Sequence, residues 1–322
     1  MSNVTRRSAI LAVMAAATAA ANAQEAYPSR PIRIIVPGAP GSGTEVATRV
    51  LAEQLSQRLG QNVTVESRPG ADGRVGASAA ARSPKDGYTL FMGTIASLSL
   101  NEHLFPDLGY DPDKDFDPIF FTGFIPMIVA VHPSAPYRTL SDLIDAAKTK
   151  PDSINVALPS TTSRLVFELL QQEAGIKLFG VPFNQTGSGT NNVVAGQIPV
   201  LIDTVAGTRA LIDGGRLRAL AVTSPATTTL LPGVRSAVEQ GVPGLQVTAW
   251  NVLSVPHGVP GAIKDKLHAS MQEILRDANY RSRLLQVGFE AASATPARSA
   301  QEEVREERAR WGRLIKERGI KP

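Results

Sequence analysis

Short β-branched runs alternate with amphipathic runs along almost the whole chain. No other feature limits the possible folds as strongly. The run from Pro31 to Val36 (PIRIIV) reads as a strand ended by Pro37. From Glu45 to Leu59, apolar residues recur at Val46, Val50, Leu51, Leu55 and Leu59, which is a helical period. Asn62 to Val65 reads as a second strand, Gly73 to Arg82 as a helix of small residues, and Tyr88 to Met92 as a third strand. A βαβαβ order needs crossover helices, and crossovers of this kind belong to a parallel sheet covered by helices.

The same rhythm resumes further on. Ile119 to Val131 carries two apolar runs broken at Pro126. Thr139-Leu140-Ser141-Asp142 has the form of a capping box, in which the Thr oxygen and the carboxylate satisfy each other's backbone N–H groups. It predicts a helix to about Lys148. Strands are expected at Ile154 to Ala157, Leu178 to Phe183, Pro199 to Ile202, Leu217 to Val222 and Gln246 to Val255. Helices are expected at Arg164 to Ala174, from Asn191 to Ala195, at Gly261 to Leu275, and from a Thr295-Pro296 start through Glu302 to Arg318. Asn184 to Thr190 reads as a polar loop. The charged last helix keeps Val304, Trp311, Leu314 and Ile315 inward, and its charges read as a solvated face. Two α/β units and a helical C-terminal segment result. A chain that enters a second unit midway and later returns fits two hinged lobes with a ligand cleft between them.

Residues 1–23 stand apart. Arg6 and Arg7 precede an apolar, Ala-rich run from Ala9 to Ala21, and Ala21-Asn22-Ala23 offers small residues for cleavage. This three-part pattern is that of a secretory signal peptide cut after Ala23. The run is short of the roughly 20 apolar residues a spanning helix needs. Thr5-Arg6-Arg7-Ser8 leaves general and twin-arginine export both open. No later stretch is apolar enough to span a membrane, so an extracytoplasmic, water-soluble protein is expected. ATP- and NAD-dependent chemistry is disfavoured in such a compartment.

Composition narrows the chemistry. The 322 residues contain no cysteine, which excludes disulfides, thiolate metal sites and Cys nucleophiles. The formal charge is +4 with no clustered basic face, and aromatic residues make up 5%. Both observations argue against nucleic acid. His103, His132, His257 and His268 lie in no metal-binding spacing, so no metal and no cofactor is expected. His132 and His257 read as turn residues and His268 as a helix-surface residue. No catalytic residue is assigned, although a Ser-His-Asp triad needs no sequence signature.

Four loops follow expected strands, where open α/β sheets hold ligands. The first is Val36-Pro37-Gly38-Ala39-Pro40-Gly41-Ser42-Gly43-Thr44-Glu45. Free N–H groups at the helix start and close-approach glycines suit a carboxylate or phosphate. The same glycines could simply make a tight turn. A P-loop is excluded because no Lys follows, and the dinucleotide fingerprint fails because its third Gly position is Val46. The second loop is Leu158-Pro159-Ser160-Thr161-Thr162-Ser163-Arg164. One of its hydroxyls is expected to be only a helix cap, and Arg164 either pairs with a ligand carboxylate or points to solvent. The third, Asn184 to Thr190, contains Gly187-Ser188-Gly189, which is not a nucleophile elbow. The fourth is Asp203-Thr204, where Asp203 either faces a ligand or caps the next turn. These loops supply hydroxyls and N–H donors without an evident base, metal ligand or nucleophile. They favour binding an anion over transforming it.

The ordered blocks Tyr27-Pro28-Ser29-Arg30-Pro31-Ile32, Val65-Glu66-Ser67-Arg68-Pro69-Gly70, Asp86-Gly87-Tyr88-Thr89-Leu90-Phe91, Tyr110-Asp111-Pro112-Asp113-Lys114-Asp115-Phe116, Val181-Pro182-Phe183, Gly214-Gly215-Arg216-Leu217-Arg218-Ala219 and Trp250 resemble the Bug family. Its members are substrate-binding receptors of tripartite tricarboxylate transporters, and the resemblance spans the whole mature chain. It implies a type II periplasmic binding protein fold with a two-strand hinge, each lobe a mixed sheet flanked by helices. The implied division is 24–125 for the first lobe, 126–248 for the second and 249–322 for the return to the first. It implies a monomer that binds a small organic carboxylate and serves a large and a small permease subunit in the membrane. The implied ligand residues are Pro40, Gly41, Ser42, Gly43 and Thr44 in the first loop and Ser160, Thr161 and Thr162 in the second. Thr94 and Ser97 would line the first-lobe wall, and Thr186 and Asp203 the second. The chain departs from the family at Gly38-Ala39-Pro40-Gly41-Ser42, Glu45, Leu158 to Ser163 and Phe183-Asn184, so no relative's ligand transfers directly. Two other roles compete with transport: presenting a ligand to a membrane sensor kinase, and hydrolysis by a secreted enzyme.

Overall fold

The computed structural model describes residues 27–183 and 186–321; the expected signal peptide and the loop residues Asn184 and Gln185 lie outside them. Strands β1 (Ile32–Val36), β2 (Val63–Ser67) and β3 (Thr89–Thr94) run parallel, with β1 in the middle. Helix α1 (Gly43–Leu59) and helix α2 (Arg74–Ala81) make the crossovers. This is the arrangement the βαβαβ rhythm predicts. Strand β1 is an almost unbroken buried run, as a strand covered on both faces must be.

A second parallel group pairs β5 (Asn155–Leu158) with β6 (Phe179–Pro182) and β7 (Val200–Thr204). Helix α4 (Leu140–Thr149) precedes β5, and helices α5 (Thr161–Ala174) and α6 (Thr186–Val194) lie between these strands in sequence. The Thr139–Asp142 capping box at the head of α4 is formed as expected.

One long strand joins the groups. β4 (Phe116–Val131) passes straight through Pro126 and is not divided there, contrary to the sequence reading. Its residues 116–126 pair with β9 (Thr248–Pro256), and its residues 127–131 pair with β7 and β8 (Arg218–Val222). The sheet order is β2-β1-β3-β9-β4-β7-β5-β6, with β8 and the two-residue β10 (Glu290–Ala291) also on β4. Because β9 and β4 run antiparallel to the strands beside them, the sheet is mixed. At the change of partners, fully buried Thr223 accepts from the Met127 N–H and donates to the Val247 carbonyl. It ties together the two segments that connect the halves.

Helices missing from the sequence reading complete the fold. A π-helical turn, Ala96–Leu100, leads into the short α3 (Asn101–Leu104) after β3; α7 (Val205–Asp213) follows β7, and α9 (Ala278–Gln286) follows α8 (Gly261–Arg276). The last helix, α10, is Ala300–Arg318. It does not begin at Thr295-Pro296, because Ser299 and Glu302 form a reciprocal capping box that fixes the start four residues later. The expected loop over 184–190 is likewise helical from Thr186 onward, so Gly187-Ser188-Gly189 sits inside α6. His268 is half-buried, its ring tilted against Phe120 at 4.9 Å, and is not a free surface group. No described helix is long and apolar enough to cross a membrane.

Candidate functional site

The loops after β1, β5 and β7 take part in one seam between the halves: Gly43 lies against Ala206, and Arg164 reaches across to Asp72. Ser42 caps α1, its Oγ accepting the Glu45 N–H at 3.4 Å. The next two N–H groups, of Gly43 and Thr44, have no acceptor within the helix. Glu45 is almost fully buried and turns back to accept the Gly41 N–H at 3.1 Å, while Arg49 pairs with its other oxygen. Gly41, at φ +78°, is therefore a turn residue whose amide is already used. Pro40 lies in the same exposed turn.

The second loop repeats the device. Ser160 is the cap of α5, accepting the Ser163 N–H at 3.1 Å, so it is the hydroxyl with a purely local role. Thr161 and Thr162 open the helix. Thr161 is 2% exposed, and its Oγ1 has no protein partner. Arg164 does not point to solvent. Its Nη2 donates to Asp72 Oδ1 at 2.7 Å from the opposite half, and its buried Nε has no protein partner.

A third helix start faces the first. Thr204 caps α7 by accepting the Gly207 N–H. The α7 start touches the α1 start: a methyl built on Gly43 would lie 2.8 Å from the Ala206 Cβ. One built on Gly288 would lie 2.5 Å from the Ala206 Cα. Nothing in the local sequence signalled this contact, because Gly207 and Thr208 weaken the helical pattern of α7. Asp203, beside it, is 2% exposed, and the helix cap itself is Thr204. Its carboxylate accepts the Thr204 N–H at 2.7 Å and the Thr190 hydroxyl at 3.0 Å. Burial pushes its pKa up to about 6, against the pull of hydrogen bonds from Thr204 and Thr190.

On the first half, Thr94 and Ser97 satisfy each other: the Thr94 N–H donates to Ser97 Oγ at 3.0 Å and the Ser97 N–H to Thr94 Oγ1 at 3.2 Å. Thr44 Oγ1 reaches the Asn251 side chain at 3.4 Å, and Asn251 is the β9 register partner of Thr94. Thr44, Thr94 and Ser97 therefore sit together. Thr186 is the first residue of α6. Among the described residues no group of three acidic or imidazole side chains could hold a metal. The seam offers three helix starts with positive end charge and hydroxyls. Such a surface suits an oxyanion.

Two cavities lie elsewhere. One of about 420 Å³ is lined by Phe120, Phe124, Lys264 and Arg298, and one of about 340 Å³ by Phe124, Trp250, Arg298 and Glu306. Their lysine and arginines are already paired, Lys264 with Asp117, Arg298 with Glu306 and Arg310 with Glu307. They are poorer places for an anion than the seam, whose donors carry no fixed counter-charge at Gly43, Thr44, Thr161 and Thr162.

Residues 47–320 match the family model for the tripartite tricarboxylate transporter family receptor. The chain belongs to this family. It is similar to BugT of Bordetella pertussis, at 31% identity over 99% of both chains. Among solved structures it is similar to Rpa4515 of Rhodopseudomonas palustris with adipate, at 28% identity and a TM-score of 0.87 over 92% of this chain and 99% of that one. It is also similar to MatC of the same organism with bound malate, at 30% identity and a TM-score of 0.81 over 90% and 100%. The fold is thus the mixed α/β fold of periplasmic binding proteins, as the resemblance implied. Receptors of this family and its structural neighbours bind solutes.

Proposed function

We propose that this chain is a periplasmic receptor that closes on a small organic carboxylate and delivers it to the membrane permease subunits of a tripartite tricarboxylate transporter. The observation that carries the reading is the meeting of helix starts from both halves at one seam. The carboxylate would take the N–H groups of Gly43 and Thr44 from one side and of Thr161 and Thr162 from the other, with the Thr161 hydroxyl. Adipate and malate in two relatives agree with this ligand class. In this reading residues 24–125 and 249–322 form one lobe and 126–248 the other, swinging about β4 and the 223–248 connection. Arg164 acts across the cleft, and Asp203 supports the α7 start; Pro40, Gly41, Ser42, Ser160, Thr94, Ser97 and Thr186 shape the wall. The leader over 1–23 would direct export and be removed after Ala23. The monomer binds and releases without catalysis.

The test is a thermal-shift screen of mono-, di- and tricarboxylates, followed by calorimetry on any hit. A one-to-one complex with unaltered ligand on recovery is expected. Binding confined to uncharged solutes, or turnover of the ligand, would overturn the proposal.

A further inference from the structure

The turn between β2 and α2 is conformationally unusual. Gly70, Ala71, Asp72 and Gly73 all have positive φ, at 121°, 48°, 54° and 85°. Glycine adopts this region freely, whereas Ala and Asp do so at a cost. At Asp72 that cost accompanies a side-chain contact. From this strained turn its carboxylate accepts Arg164 Nη2 at 2.7 Å, across the seam, with both side chains about one-fifth exposed. Fully buried Asn101 fixes the turn from beneath, its Nδ2 donating to the Asp72 carbonyl at 3.0 Å. Two neighbours hold the turn in place: a Cβ on Gly73 or Gly76 would crowd Pro37 of the first candidate loop.

Among the described ion pairs, two join the halves: Asp72–Arg164 and Glu173–Arg318. Both use α5, one at its first turn and one at its last. The first-turn pair lies three residues from Thr161, on the same face of the helix. Swinging the halves apart must break it, since its members belong to opposite sides of the β4 crossover.

We propose that Asp72 and Arg164 form an inter-lobe latch that makes on closure, biases the ligand-free receptor toward the closed form and slows ligand release. Asp72 also positions Arg164: with Nη2 held, the guanidinium and its buried Nε–H, which has no protein partner, keep a fixed place at the first turn of α5. A ligand that closes the cleft gains the latch as well as its own contacts, and one that keeps the lobes apart by about an ångström forfeits it.

The chain contains no cysteine, so two introduced thiols label cleanly. Spin labels at exposed Gln57→Cys and Lys148→Cys, one on each half, report the inter-lobe distance by pulsed electron resonance. Without ligand, Asp72→Asn and Arg164→Gln should each shift the distribution to longer distances, and the double variant should add little to either. Asp72→Gly separates strain from charge, since it relieves the backbone but lacks the carboxylate; it should open the receptor as Asp72→Asn does. Raising the salt concentration should move the unsubstituted chain toward the open form and move Asp72→Asn less, by only what the remaining Glu173–Arg318 pair contributes. With adipate and malate as probes, release should quicken by about threefold to thirtyfold in each single variant. Unchanged distances and release in Asp72→Asn, or fully additive effects in the double variant, would overturn the latch. The release measurement rests on the receptor reading. The ligand-free distances do not, so a failure of either acid to bind counts against the ligand class and leaves the latch to the distance measurement.

Discussion

Gly43→Ala tests whether the two halves must meet at the α1 start. Gly43 is the first residue of α1, where alanine fits and improves helix propensity by up to about 1 kcal/mol. The first half should therefore fold at least as well as before. The added methyl, however, would sit 2.8 Å from the Ala206 Cβ and 3.5 Å from the Phe289 ring. Carbon atoms are comfortable at about 3.5–4.0 Å, so α7 must retreat by about 0.7 Å or more. Overpacking of this kind costs about 1–3 kcal/mol. In this position the whole cost falls on the closed arrangement, so ligand affinity should drop about fivefold to 150-fold. Gly261→Ala is the control, also at a first helical residue but with open space around the new methyl. Calorimetry against the best carboxylate from the screen gives the affinities, and thermal melting of the free proteins gives their stabilities. Equal affinity for Gly43→Ala, Gly261→Ala and the unsubstituted chain would refute the reasoning, as would a large loss of stability in ligand-free Gly43→Ala.

Three further outcomes are expected. Asp203 holds its proton more tightly in the fold than in the unfolded chain. Between about pH 4 and pH 6 the native state thus binds more protons, and stability should fall as pH rises through that window and then level off, by up to about 3 kcal/mol; urea unfolding should show this slope and Asp203→Asn should flatten it. Thr223→Val strands the Met127 N–H at the crossover and should lower unfolding free energy by about 1–3 kcal/mol, with Thr223→Ser restoring most of it. Ser160→Ala removes the α5 cap and should lower it by about 1 kcal/mol, measured by the same denaturation.

The first half was readable from local pattern because β1, α1, β2, α2 and β3 each carry a clean period and sharp punctuation, such as Pro37 and the Gly60 that ends α1. The helical turn after β3 was hidden by its own composition. Ala96-Ser97-Leu98-Ser99-Leu100 alternates polar and apolar residues like a strand, yet all four residues from Ser97 to Leu100 are buried. Thr295-Pro296 looked like a helix start until the stronger Ser299–Glu302 box competed with it. At the site, sequence picked out the loops and led to the expectation of an anion there, but could not show which groups were already spent. The amide of Gly41 goes to Glu45, the hydroxyl of Ser160 goes to Ser163, and Arg164 goes to Asp72, 92 residues away. The Gly43–Ala206 contact was equally invisible, because two small residues far apart in sequence carry no signal of their own.

A crystal structure with a bound carboxylate tests the central claim most directly. The account predicts carboxylate oxygens within hydrogen-bond distance of the main-chain N–H groups of Gly43 or Thr44 on one side and Thr161 or Thr162 on the other. A ligand seated instead in the 420 Å³ cavity beside Phe120 and His268, with those four groups facing only water, would contradict it.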